Sequence, residues 1–259
     1  MQKHAQTLKL ATLTIGQAPR ADIDFGAFLG QHFGLLDGLS LDEINARFAP
    51  DGGEILISRL LDGSFVKMSA KAVHTALEAE IAKLENDFGA ILLLCTGSFA
   101  EIASKKALLI KPDLLLPPLI KGLAAGKTLG LVLPLKEQEE AARAKFCGLD
   151  IVCAFINPYA KASQEDFAQA AQTLAQADLL LFDCFGFSAK HEMAMRQAFG
   201  QLKQAQMSQP ELSRKGSELE LSRKGGQPEL SRKGSQPGSE QTLMLLSSKL
   251  IFSLCAALI

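Results

Sequence analysis

A chain of 259 residues, 47% hydrophobic and 21% charged, can bury a sizeable core as one large α/β domain or two small ones. Its formal net charge of −1 excludes the basic footprint that nucleic acid or an anionic membrane demands, and with no Trp and one Tyr, stacking on bases is excluded as a main activity. The five cysteines are odd in number, form no C-x-x-C pair and follow no signal-peptide pattern, which predicts reduced thiols and a cytoplasmic location; His4, His32, His74 and His191 are too scattered for a zinc site.

In chain order, residues 8–15 read as a first buried strand ending in Thr14-Ile15-Gly16-Gln17-Ala18-Pro19-Arg20. Ser40 and Glu43 fit a capping box. Residues 49–54 read as a loop, with Arg59 on a following helix as a salt-bridge partner for Glu54. Residues 70–86 place Val73, Leu77, Ile81 and Leu84 on one helical face. Residues 90–94 are a strand ending in Cys95-Thr96-Gly97-Ser98. Further strands are predicted at 128–133, ending at Pro134, and at 151–155, ending in Asn157-Pro158-Tyr159. A helix over 164–177 is capped by Ser163 with Asp166. The strand at 179–182 runs through Asp183 into Cys184-Phe185-Gly186-Phe187-Ser188, and the next helix ends near Gly200. Residues 209–235 are three copies of a nine-residue repeat around Leu-Ser-Arg-Lys-Gly, too poor in apolar residues to offset ordering entropy, and 208–241 is expected to be a disordered insertion. A strand at 243–246 ends in Ser247-Ser248 and leads into an apolar helix too short and too polar for a membrane span.

Strand–helix alternation predicts an α/β fold with mostly parallel strands and helices on both faces. The chain divides into a first half over 1–100, a second over 101–200, the insertion, and a closing strand and helix over 242–259, part of which returns to the first half.

Cys95 and Cys184 are the candidate catalytic pair. Each follows an apolar strand, at the carboxyl end where α/β sheets place their ligands, and each precedes a small or glycine-bearing turn. Two such thiols, one from each half, suit two-base proton transfer; a helix N-terminus after each would acidify it. The bland alternative is that cysteine fills space at strand ends. Cys147, Cys153 and Cys255 read as structural. Thr14, Gly16, Gln17, Thr96, Gly97, Ser98, Asn157 and Gly186 are the candidate substrate-binding residues, weighed against ordinary tight turns. Arg20 is either a carboxylate clamp or a solvated loop residue, and Asp183 either tunes Cys184 or caps a strand. His191 reads as a helix-surface residue. Neither a P-loop nor a G-x-G-x-x-G pattern is present, and no cofactor or metal is expected.

The run Leu13-Thr14-Ile15-Gly16-Gln17-Ala18-Pro19-Arg20 with Asp22, the Leu36–Ser40 and Ala49-Pro50 segments, and the Leu94–Gly97 and Asp183–Gly186 turns together resemble the AroM family. That family is grouped with the aspartate/glutamate/hydantoin racemase superfamily and named for an association with aromatic amino-acid biosynthesis genes. The resemblance spans about residues 8–200 and resumes at Thr242. It implies two similar α/β halves with the active site between them. It also implies a cofactor-independent racemase or isomerase of a small carboxylate, with Cys95 and Cys184 as proton donor and acceptor. A non-catalytic small-molecule-binding protein and a decarboxylase or lyase are the alternatives. The partner implied is a small carboxylate, with no nucleic acid or membrane and with room for a homodimer.

Overall fold

A computed structural model describes residues 9–25, 30–207 and 242–256. The nine-residue repeat and the insertion expected at 208–241 lie outside the described residues.

Two four-stranded sheets carry the fold. The first contains β1 (Leu10–Thr14), β2 (Gln31–Gly34), β5 (Ala90–Leu93) and β6 (Leu108–Ile110), in the order β2-β1-β5-β6. The second contains β7 (Thr128–Leu133), β8 (Asp150–Phe155), β9 (Leu179–Phe182) and β10 (Leu243–Leu246), in the order β10-β9-β7-β8. All pairings in both sheets are parallel. Numbered within its own half, each sheet has the order 2-1-3-4. β5 and β9 are therefore equivalent third strands, and the turns holding Cys95 and Cys184 occupy the same place in the two halves.

All six strands predicted from apolar runs are present. The missed ones are β2, β6, and the antiparallel pair β3 (Ile55–Arg59) and β4 (Phe65–Ser69). Two of them make no apolar run: β6 has only 3 residues, and β2 opens on the exposed polar pair Gln31-His32. Arg59 is thus on a strand, not a helix, and the extended backbone carries it to the far end from Glu54. β-branched Ile55 and Ile57 favour the strand, and the Asp62-Gly63-Ser64 turn closes the hairpin, with Gly63 at φ 91° and Asp62 Oδ1 accepting from the Ser64 N–H at 2.9 Å. Since β6 pairs with β5, the first sheet extends past residue 100 to Ile110.

The helices are α1 (Leu41–Phe48), α2 (Ala70–Leu84), α3 (Pro112–Leu123), α4 (Glu139–Lys145), α5 (Gln164–Thr173), α6 (Ala189–Met207) and α7 (Ser247–Ala256). The capping boxes at Ser40 with Glu43 and Ser163 with Asp166 are both formed. Strand side chains alternate between the two faces of each sheet. On the first sheet, Ala11, Leu13, Ile91 and Leu93 meet α1, α2 and the hairpin. Leu10, Ala90, Leu92 and Leu94 face the other way, toward Leu116 of α3 and Ile251, Phe252 and Cys255 of α7. On the second sheet, Val132, Leu180 and Phe182 meet α5 and α6, whereas Leu129, Leu131, Leu179 and Leu181 meet Ile120 of α3, its C-cap Ala124 and Ala142 of α4. α3 thus contributes to both sheets. α7 continues directly from β10 of the second sheet and buries its apolar face on the first. Among the described residues, no helix is long and apolar enough to cross a membrane.

Candidate active site

The two cysteine turns meet at one cavity of about 470 Å³, which Cys95, Thr96, Gly97, Ser98, Asp183 and Cys184 help to line. Each turn is a continuation of its sheet. Leu94 N–H donates to Leu13 O at 2.9 Å, and Asp183 N–H donates to Val132 O at 3.0 Å, so the next residue in each leaves the ladder at its carboxyl end. Both turns then fold in the same way. Gly97 N–H points at Cys95 Sγ at 3.4 Å, and Gly186 N–H points at Cys184 Sγ at 3.4 Å.

A polar knot ties the two turns together. Thr96 Oγ1 donates to Asp183 O at 3.1 Å, across the two halves. Lys145, the last residue of α4, donates to Thr96 O at 2.9 Å and pairs with Asp183 Oδ2. The pair is buried, with side-chain exposures of 11% for Lys145 and 3% for Asp183. Asp183 Oδ1 and Asp113 Oδ1 are buried with no hydrogen-bond partner among the described residues. Asp113 Oδ2 accepts from Phe99 N–H at 2.8 Å, and Lys111 Nζ donates to the carbonyls of Phe99, Ala100 and Ile102 at 2.7–3.1 Å. The loop after Cys95 is therefore pinned by the start of α3.

A second network reaches Cys184 from the other side. Tyr159, in the loop after β8, sets its hydroxyl 3.5 Å from Cys184 Sγ. Arg20, in the loop after β1, donates to Tyr159 Oη at 3.2 Å and to Thr14 Oγ1 at 3.0 Å, and it is gripped by both carboxylate oxygens of Asp22 at 2.8 and 2.7 Å. Arg20 is 4% exposed, so it is neither a solvated loop residue nor free to clamp a ligand. Gly186 makes room for the phenol: a Cβ there would lie 2.4 Å from the Tyr159 ring.

Electrostatics separate the two thiols from ordinary surface cysteines. Burial pushes Cys95 up to about 12; the Gly97 N–H and the Lys145 charge oppose this, while Cys184 and Asp113 add to it. Burial also raises Cys184, opposed by the Gly186 N–H, the Tyr159 hydroxyl and the Arg20 charge. This reverses the expectation of helix-acidified thiols. No helix follows Cys95 directly, since an irregular stretch leads to β6, and α6 begins only at Ala189. Burial drives Tyr159 well above its ordinary value, so its phenol keeps its proton. Burial works against the charge of Arg20, but Tyr159 and Asp22 outweigh it and leave the guanidinium more basic than usual. Burial likewise disfavours the Asp22 carboxylate, yet the Arg20 bonds hold it below the usual carboxylate range.

Of the other sequence-derived candidates, Thr96, Gly97 and Ser98 share the cavity wall with both cysteines. Thr14, Gly16, Gln17, Asn157 and Gly186 do not line it, and their groups are engaged elsewhere. Thr14 Oγ1 accepts from Arg20 and from Gly16 N–H. Gln17 braces the hairpin and the loop after β2, donating to Leu36 O and Leu39 O and accepting from Leu61 N–H. Gly16 packs so closely on β3 that a Cβ would meet Arg59 O at 2.4 Å. Asn157 Oδ1 accepts from Tyr159 N–H at 2.9 Å, which starts the turn that presents the phenol. His191 is half-buried between Phe167 and Phe187, not on the helix surface. Among the described residues, no group of three or more His, Cys, Asp or Glu could hold a metal ion.

The sequence reading missed Lys145 and Asp113 at the cavity, and it did not see Tyr159 as more than a loop residue. Lys145 ends a short charged helix like any solvated lysine and carries no local signal. Tyr159 did carry one: it is the sole tyrosine of the chain and sits at a strand end.

Known structures share this architecture. Unliganded arylmalonate decarboxylase superposes with a TM-score of 0.50 at 12% identity, covering 97% of this chain and 92% of that one. A second arylmalonate decarboxylase structure gives a TM-score of 0.46 at 11% identity, with coverages of 96% and 91%. Aspartate racemase from Picrophilus torridus gives 0.40 at 14% identity, with coverages of 76% and 94%. At such identities the likeness to arylmalonate decarboxylase is one of fold alone. No curated protein matches the chain in sequence. The AroM protein profile, in contrast, matches residues 10–202, through both cysteine turns and the Arg20 and Tyr159 loops, and the chain belongs to the AroM family.

Proposed function

We propose that this protein is a cofactor-independent racemase or isomerase that moves a proton at the α-carbon of a small carboxylate. The observation that carries the reading is that Cys95 and Cys184, from equivalent turns of the two halves, wall the same cavity. A volume of about 470 Å³ suits a small metabolite. The Thr96-Gly97-Ser98 turn would receive the carboxylate; Lys145, the one cationic residue among those lining the cavity, is already paired with Asp183. One cysteine removes the α-proton as thiolate, and the other delivers its own proton to the opposite face of the carbanion. Burial raises both thiols, so the thiolate that takes the proton is the minor form at neutral pH.

Decarboxylation is the second reading, favoured by the unequal surroundings of the two thiols and by the apolar part of the wall, which includes Leu56, Leu114, Pro117 and Leu133. Loss of CO₂ from a carboxylate desolvated there would leave a carbanion, one cysteine would protonate it, and water would return the proton to the thiolate.

The test is a screen of amino acids and small mono- and dicarboxylates in deuterated water, following α-deuterium incorporation by NMR. Incorporation that disappears in both Cys95→Ser and Cys184→Ser supports two-base transfer. CO₂ release that survives one of the two substitutions but not the other would move the assignment to decarboxylation. Binding without exchange or CO₂ release would make the protein a binder.

A further inference from the structure

The two halves repeat each other in strand order and in their cysteine turns, yet only one cysteine has a phenol beside it. Cys184 has the Tyr159 hydroxyl at 3.5 Å in addition to the Gly186 N–H; the loop equivalent to that of Tyr159, after β2, runs Leu35-Leu36-Asp37-Gly38-Leu39 and carries no phenol. The direction of the Tyr159 bond follows from valence. A guanidinium has donors only, so the phenol oxygen must accept from Arg20, and the single phenol proton is left for Cys184. Arg20 itself cannot turn away, because Asp22 holds it at two points and Thr14 at a third. A donor aimed at sulfur stabilises the thiolate over the thiol.

We propose that Tyr159, oriented by Arg20 and Asp22, is a positioning residue that makes Cys184 the thiol of the pair that ionises first, and so the base, with Cys95 retained as the proton donor. The charged neighbours are balanced between the two thiols. Facing Cys184 are the Arg20 cation, the Tyr159 phenol and the Asp183 carboxylate. Facing Cys95 are the Lys145 cation, the Asp113 carboxylate and Cys184 itself. Arg20 is paired with Asp22 as Lys145 is with Asp183, and each thiol has one carboxylate near it, so what separates the two is the donor aimed at the sulfur of Cys184. The assignment rests on the proposed reaction for its catalytic meaning, and the step balances. Cys184 thiolate takes the α-proton and becomes a thiol, Cys95 thiol gives a proton to the other face of the carbanion and becomes a thiolate, and water moves one proton back between turnovers. The phenol proton is never transferred.

The titration order can be read without a substrate. Alkylation by iodoacetamide is followed by peptide mass spectrometry from pH 7 to 11 on the full chain, with Cys95 and Cys184 quantified separately. Cys184 is expected to show the lower midpoint. Tyr159→Phe keeps the ring on Gly186 and is expected to slow Cys184 alkylation about tenfold at a pH below that midpoint, a shift of about one unit, and to leave Cys95 unchanged. Because Tyr159 is the sole tyrosine, growth on 3-fluorotyrosine replaces this residue alone and nearly preserves its shape. Its more acidic phenol is a stronger donor and should move the Cys184 midpoint down. Cys95 titrating first, or a Cys184 midpoint indifferent to both changes, overturns the assignment. Absence of deuterium exchange with any carboxylate would count against the proposed reaction alone, since the titration order requires no turnover.

Discussion

The Lys145–Asp183 pair lies within the second half and holds the cysteine turn of the first through Thr96, and its removal has a calculable cost. Lys145→Met keeps the aliphatic stem and deletes the ammonium. Asp183 then retains a buried carboxylate with neither oxygen partnered, because Oδ1 has no partner already. Thr96 O loses its donor at 2.9 Å as well. Breaking a buried pair by removing one member costs about 3–5 kcal/mol. The 11% exposure left to Lys145 lets some water reach the vacated site, which argues for the low end, about 3 kcal/mol. For a chain of this size that lowers Tm by roughly 6–12 °C. Urea unfolding of the wild type, Lys145→Met, Asp183→Asn and the double variant measures the coupling directly, with an expected value of about 1–3 kcal/mol. The double variant should be more stable than Lys145→Met alone, because it no longer buries an unpaired charge. If Lys145→Met lies within about 0.5 kcal/mol of the wild type, or the two changes simply add, the pair is a surface contact in effect and the knot has no energetic weight.

Three further outcomes follow from the site. Arg20 holds Asp22 below the usual carboxylate range, so the stability this pair contributes is present above the unfolded carboxylate value and is lost as pH falls through the lower folded one; Tm measured from pH 7 to 3 should drop more steeply below about pH 4 in the wild type than in Asp22→Asn, and parallel curves would refute it. Gly186→Ala puts a methyl where the Tyr159 ring lies and should destabilise by about 1–3 kcal/mol while slowing Cys184 alkylation as Tyr159→Phe does; a neutral variant by denaturant titration would show that the ring is free to move. At pH 7 a bulky maleimide should label exposed Cys147 well before buried Cys153, which burial pushes up to about 11, and buried Cys255; equal rates would contradict the burial assigned to them.

Sequence periodicity revealed what is local and regular. The runs 90–94 and 179–182 are continuous apolar stretches because β5 and β9 are central strands covered on both faces, and that same burial delivers Cys95 and Cys184 to the sheet edge. Ser40 and Ser163 could be seen as caps because a cap is complete within four residues. What stayed hidden depends on distant partners. Arg20 in isolation looks like any loop arginine; its burial is decided by Tyr159, 139 positions away. Lys145 depends on Asp183 in the same sense, and α3 was obscured because Pro117 and Pro118 lie inside it. The turn residues Thr14, Gly16, Gln17 and Asn157 were legible as special but not as supporting parts. A sequence shows that a turn needs small polar residues, not whether their polar groups face a ligand or the next loop.

The repeated strand order explains why the cavity exists, and its departures explain what it can do. Two halves of order 2-1-3-4 place two third-strand turns in equivalent positions, and each glycine N–H gives its cysteine the same single donor. A site that stopped there would treat both faces of a bound carbon alike. The asymmetry enters from loops that the order leaves free. The loop after β1 supplies Arg20 and Asp22, the loop after β8 supplies Tyr159, and both converge on Cys184. The loop after β7 leads instead into α4, whose Lys145 is drawn off by Asp183. One sulfur thus faces an oriented donor and the other a neutralised ion pair. Scaffold symmetry positions two thiols, and loop chemistry gives them different surroundings.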